Sequence, residues 1–106
     1  MKIPSVRDDS AATDEYPLGP MPAKALQEFL KMAKQDGFRT KNIDNLVGYA
    51  EWGEGDETLA ILAHLDVMPA GKGWYTDPFD PVIKDGNLYA RGASDDKGPG
   101  MACYYA

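Results

Sequence analysis

Apolar and polar positions along this chain alternate between patterned segments and loops rich in proline and glycine. Residues 7–21 (RDDSAATDEYPLGPM) are polar and punctuated by proline, which predicts a loop. Pro22 suits the first position of a helix. Leu26, Phe29, Leu30 and Ala33 follow at helical spacing, with Lys31 and Lys34 late in the helix and Gly37 as its stop. That pattern describes a surface helix laid over a sheet. Phe38 to Ile43 predicts a short strand and Leu46 to Trp52 a better one, with Gly53-Glu54-Gly55-Asp56 as the turn that follows. Leu59-Ala60-Ile61-Leu62-Ala63 is a continuous apolar run, as in a central strand buried on both faces. After a flexible loop at Ala70-Gly71-Lys72-Gly73, the segments Pro81–Lys84 and Asn87–Ala90 flank Asp85-Gly86, a hairpin turn signal. The chain closes on what reads as the first turns of a second helix. No internal repeat or low-complexity segment interrupts this order.

Candidate chemistry gathers where the predicted central strand ends. His64, the one histidine, follows the apolar run directly, and Asp66 lies two residues on. Strand side chains alternate faces, so residues 64 and 66 point the same way with α-carbons about 6–7 Å apart. A carboxylate at that spacing can reach the imidazole. A single histidine is more often structural than a ligand. A carboxylate partner shifts the reading, because metal-bound histidines usually pass their second ring proton to one. A second acidic turn, Gly92-Ala93-Ser94-Asp95-Asp96-Lys97-Gly98, follows another predicted strand. Aspartates are common in solvated turns, yet two carboxylates in a glycine-flanked loop between strand and helix also suit a metal.

Composition narrows the classes. The 106 residues allow one domain with a modest core, and 43% hydrophobic with 26% charged residues is ordinary for a globular protein. A net charge of −6 argues against a nucleic-acid partner, since phosphate binding needs clustered Lys and Arg. No run approaches the ~18 apolar residues of a membrane span, and no signal peptide opens the chain. Cys103 has no cysteine partner, and its apolar neighbours predict a packed thiol in a reducing cytoplasm.

The motifs His64-Leu65-Asp66-Val67-Met68-Pro69, Gly73-Trp74 with Asp77-Pro78-Phe79, and Asp85 through Asp95-Asp96-Lys97-Gly98-Pro99 resemble the two-zinc exopeptidases. That family holds the PepV-type dipeptidases, the carnosinases, and the acetylornithine and succinyl-diaminopimelate deacylases. Ile3-Pro4-Ser5-Val6 and Glu15-Tyr16-Pro17-Leu18-Gly19 also match the PepV-type enzymes, so the resemblance spans the chain. It implies a zinc-dependent dipeptidase that takes a dipeptide substrate and uses two zinc ions per complete site. By the same resemblance His64 is a metal ligand, Asp66 is catalytic and orients the imidazole, and Asp95 bridges both metals. Asp96 falls at a non-ligand position, and the peptide joining Asp95 to Asp96 is cis. A water acidified by the ions attacks the peptide carbonyl in such enzymes.

The implied fold is α/β: the incomplete N-terminal part of a three-layer αβα catalytic domain with a mixed, mostly parallel central sheet. Residues 1–106 are then a partial catalytic domain without its lid. The family's general base and next ligand come from a Glu-Glu pair, with a further acid and a second histidine beyond, and all are expected after residue 106. Both ends also read as cut, at Ile3-Pro4-Ser5-Val6 and at Tyr104-Tyr105-Ala106. The central strand should therefore lack partners and leave apolar surface exposed. Two other readings stay open: an amino-acid deacylase of the same family, against which Gly73–Phe79 argues, and a non-catalytic metal-binding or interaction fragment.

Overall fold

The apolar stripe of the first helix organises what core there is. In the computed structural model, which describes residues 1–106, helix α1 runs Pro20–Gln35 and buries Ala23, Leu26, Leu30 and Ala33 along one face. It begins two residues earlier than the sequence pattern suggested. Gly19 supplies the reason: its φ of 90° turns the chain sharply, and Pro20 takes the first helical position. A short 3-10 turn, Asp9–Ala11, precedes it. The helix stops at Gly37 (φ 94°), where the Phe38 amide donates to the Ala33 carbonyl and the Gly37 amide to that of Lys34. These are the two bonds of a Schellman cap.

Strands β1 (Arg39–Ile43) and β2 (Val47–Glu51) pair antiparallel and lie against α1. Gly48 makes this approach possible. A β-carbon there would stand 2.8 Å from Leu26 Cδ1 and 2.9 Å from Leu30 Cδ1. The second hairpin joins β3 (Val82–Lys84) to β4 (Asn87–Tyr89). Asp85 and Gly86 both adopt positive φ, 52° and 76°, as the Asp-Gly signal predicts for a two-residue turn. Helix α2 (Lys97–Tyr105) completes the order. The result is a small mixed α/β fold with two helices and two separate two-stranded antiparallel sheets.

Leu59–Ala63, expected as the central strand, forms no strand here. Each hairpin pairs only with itself, so no neighbour offers the run a ladder of backbone hydrogen bonds. Leu59 and Leu62 are 87% and 94% exposed. Only 12 of 106 residues are buried, and the radius of gyration is 15.0 Å, against about 13 Å for a packed domain of this length. No mostly parallel sheet is present. Apolar surface is exposed, as the sequence reading anticipated.

Helix α2 reaches back to the first unit through Tyr104. Its ring stacks on Phe38 at 5.2 Å and meets Phe29 edge-on at 5.6 Å, while its hydroxyl donates to Asp36 Oδ2 at 2.6 Å. Cys103 sits on the uncovered side of the same helix and is exposed, which corrects the expectation of a packed thiol. Its apolar neighbours in sequence do not become neighbours in space, because only the Tyr104 side docks.

Burial among the rings, followed by the Asp36 carboxylate, pushes the Tyr104 phenol up to about 12. The folded pKa is raised above the ordinary 10.0, so Tyr104 adds stability fully below pH 10.0 and loses it as pH rises through about 12. An ultraviolet titration should therefore show one phenol ionising at about pH 12, and Tyr104→Phe should delete that step. An identical curve for the variant would refute the assignment.

Candidate functional site

Two segments distant in sequence meet at the imidazole. The stretch from His64 to Val67 has no regular secondary structure, and the turn from Gly92 to Asp96 folds back beside it before α2 begins. His64 Nδ1 lies 3.0 Å from Asp66 Oδ1 and 3.1 Å from the Asp66 carbonyl oxygen. His64 Nε2 lies 2.9 Å from Asp95 Oδ1. The ring thus has a carboxylate at each nitrogen. Asp96 takes another part: its Oδ2 accepts the His64 backbone N–H at 3.1 Å. The peptide joining Asp95 to Asp96 is cis.

The two-residue spacing lets the Asp66 carboxylate reach the ring, although the segment joins no sheet. Gly92 accounts for the second. Its φ of 86° reverses the chain after β4, and a β-carbon there would stand 3.1 Å from Val67 Cγ1. Glycine therefore lets the acidic turn close onto the histidine segment.

The electrostatics follow from the partners. Ionised carboxylates only accept, so an imidazole held by two of them donates from both nitrogens and carries a charge. The hydrogen bond to Asp95 is the main force raising the His64 pKa. Partial loss of solvent opposes it, and the Asp66 carbonyl and carboxylate add to the rise. The side chains are open to water, with His64 49% and Asp95 85% exposed, so these pairs are worth little as stabilisers.

The pair fits a metal in the chemistry of its donors and in their proximity. Zinc takes imidazole nitrogen and carboxylate oxygen at about 2.0–2.2 Å, which puts two tetrahedral ligand atoms roughly 3.3–3.6 Å apart. The observed 2.9 Å between Nε2 and Oδ1 is a hydrogen-bond distance, and the two atoms would part by about half an ångström to share an ion. Asp66 already occupies Nδ1, as the second partner of a ligating histidine does. No three His, Cys, Asp or Glu side chains gather to hold an ion, so the pair supplies two of the four positions a closed site needs. A groove of about 540 Å³ between α1 and β1, lined by Lys31 and Lys34 among others, includes none of these residues.

Two residues that the sequence did not single out make long-range hydrogen bonds beside this site: Ser5 and Lys97. Ser5 and Lys97 lie inside motifs that carried the resemblance, but nothing in their spacing announces contacts across 60 and 94 residues.

Comparison with known proteins places the chain. Residues 60–106, which contain both halves of the site, match peptidase family M20/M25/M40. Over its full length the chain is 52% identical to a protein of Staphylococcus haemolyticus named "Putative dipeptidase SH1171". It is 50% identical to a like-named protein of Staphylococcus saprophyticus and 48% to one of Staphylococcus aureus. The chain spans 23% of the length of each. The chain is thus similar to peptidase family M20/M25/M40 over residues 60–106 and to dipeptidase-named relatives over its whole length. No helix is long and apolar enough to cross a membrane.

Proposed function

We propose that this chain carries the first metal-binding half of a zinc-dependent dipeptidase of the PepV type. The observation that carries the reading is the imidazole of His64 held between Asp66 at Nδ1 and Asp95 at Nε2. His64 and Asp95 are the ligands in this reading, and Asp66 is the catalytic carboxylate behind the ring. Residues 1–106 belong to a catalytic domain of three-layer αβα form, acting in the cytoplasm on a dipeptide. The relatives' printed names support the substrate class.

Each side chain has a defined task. Asp66 accepts the hydrogen bond from Nδ1 and so leaves Nε2, beside Asp95, as the nitrogen free to ligate. Nε2 must give up its proton before it can ligate, and the proton held between His64 and Asp95 is the one that leaves. Asp95, the more exposed partner, keeps a second oxygen free for a further contact. When bound, zinc supplies Lewis-acid polarisation of the scissile carbonyl and acidification of water.

Zinc titration followed on the His64 ring resonances tests the reading. The parent chain should bind zinc with loss of the Nε2 proton, and affinity should fall about tenfold per pH unit below the raised His64 pKa. His64→Ala and Asp95→Ala should each abolish the saturable component. Equal zinc affinity in the His64→Ala chain would sink the proposal.

A further inference from the structure

Two polar side chains are buried in this open fold, Ser5 at 0% exposure and Lys97 at 6%. Neither hydrogen-bonds to the imidazole or to Asp95. Burying an ammonium group without satisfying it is costly. Lys97 Nζ makes its hydrogen bond not to a carboxylate but to the backbone carbonyl of Ile3, at 2.8 Å and 94 positions away. The Ser5 hydroxyl donates to the Leu65 carbonyl at 2.6 Å, and the Ser5 carbonyl accepts from the Val67 amide at 3.1 Å. These two bonds bracket Asp66 and fix the peptide units that aim His64 and Asp66.

Together with the Asp96 bond to the His64 amide, the contacts close a circuit. Segment 3–5 bonds to 65–67, His64 bonds to Asp96, and Lys97 bonds back to Ile3. Each of the three segments is tied to the other two. The site has need of such a frame. With His64 half exposed and Asp95 mostly so, neither has enough packing of its own to hold a ring and a carboxylate within the few tenths of an ångström that shared ligation demands. The restraint has to come through the backbone.

We propose that Ser5 and Lys97 are positioning residues, which lock the N-terminal strap Ile3–Ser5 onto the site and hold His64 in register with Asp95. The strap is part of the metal site's frame rather than a lead-in to the domain. This rests on the reading of His64 and Asp95 as a ligand pair. Partners of this kind are worth about 10–100-fold in metal affinity when removed.

The test uses the 106-residue chain, with Ser5→Ala and Lys97→Met as the disruptive variants and Ser5→Thr, which keeps the hydroxyl, as the conservative one. Zinc affinity is read at the His64 ring, and the contact between His64 Nε2 and Asp95 is read by NMR in the metal-free chain. Amide shifts of the β1–β2 hairpin, which lies outside the circuit, report the fold. Ser5→Ala and Lys97→Met should each weaken zinc about 10–100-fold and loosen the Nε2–Asp95 contact while the hairpin shifts stay put. Ser5→Thr should stay near the parent. Unchanged affinity and contact in both disruptive variants would overturn the positioning role. So would losses that track a collapsing hairpin spectrum in all three variants, since that marks a merely structural contact. If Lys97→Met fails to fold, Ser5→Ala decides. A parent chain that holds the Nε2–Asp95 contact but takes no zinc there overturns the metal reading and leaves the positioning role to be read from the contact.

Discussion

The 106-residue chain, supplied with zinc and a dipeptide, is expected to show no hydrolysis above background. It contains one imidazole, and no cluster of three potential ligands forms anywhere in it. No glutamate hydrogen-bonds to His64, Asp66 or Asp95. Resemblance to the two-zinc exopeptidases assigns the general base to a Glu-Glu pair, and the chain has no two adjacent glutamates. A positioned general base contributes about 10²–10⁴-fold. Loss of the base together with most of the metal shell should therefore put turnover below detection. Relatives about four times as long provide the contrast, since this chain spans 23% of their length. The measurement is release of free amino acid with zinc, with zinc plus chelator, and with His64→Ala. Turnover that chelator removes and His64→Ala lacks would show that half a shell suffices.

What was legible in the sequence were features whose information is local. Asp85-Gly86 specified a hairpin because the turn needs two positive φ angles, and those residues tolerate them. Leu26, Leu30 and Ala33 announced the buried face of α1, and Gly37 announced its end. His64 and Asp66 could be paired by strand alternation alone, and the carboxylate does reach Nδ1. Asp95 could not be brought to Nε2 by spacing, and only the resemblance joined the two motifs.

What was not legible depends on partners. An apolar run such as Leu59–Ala63 encodes a demand for burial, but a strand exists only where another backbone accepts its hydrogen bonds. The same holds for Cys103, whose apolar sequence neighbours carry no information about which side of α2 is covered. Ser5 and Lys97 were missed for a related reason. Their acceptors are main-chain carbonyls, which every residue has, so side-chain identity at Leu65 and Ile3 gives no clue to the bond.

Gly98→Ala should be the most damaging single-methyl change in the chain. Gly98 is the second residue of α2, and its amide donates to the Gly92 carbonyl at 3.0 Å, closing the turn that carries Asp95 and Asp96. A β-carbon at Gly98 would overlap the Ala93 carbonyl oxygen and lie 2.9 Å from the Ala93 carbonyl carbon. Those are backbone atoms, so no rotamer change relieves the clash, and the turn itself must open. Overpacking of this kind costs about 1–3 kcal/mol, and a backbone collision belongs at the upper end. The shift also carries Asp95 away from His64, so zinc affinity should fall with stability. Gly100→Ala, two residues along the same helix, is the control. Its β-carbon meets only Ala63 Cβ at 3.1 Å, a side-chain contact that a shift of a few tenths of an ångström relieves. Alanine there should gain the helix-propensity difference of up to about 1 kcal/mol, less whatever the small adjustment of Ala63 costs. The denaturant midpoint should fall for Gly98→Ala and hold or rise for Gly100→Ala, and zinc affinity should fall for Gly98→Ala alone. Equal behaviour would mean that the acidic turn is not held closed through Gly98.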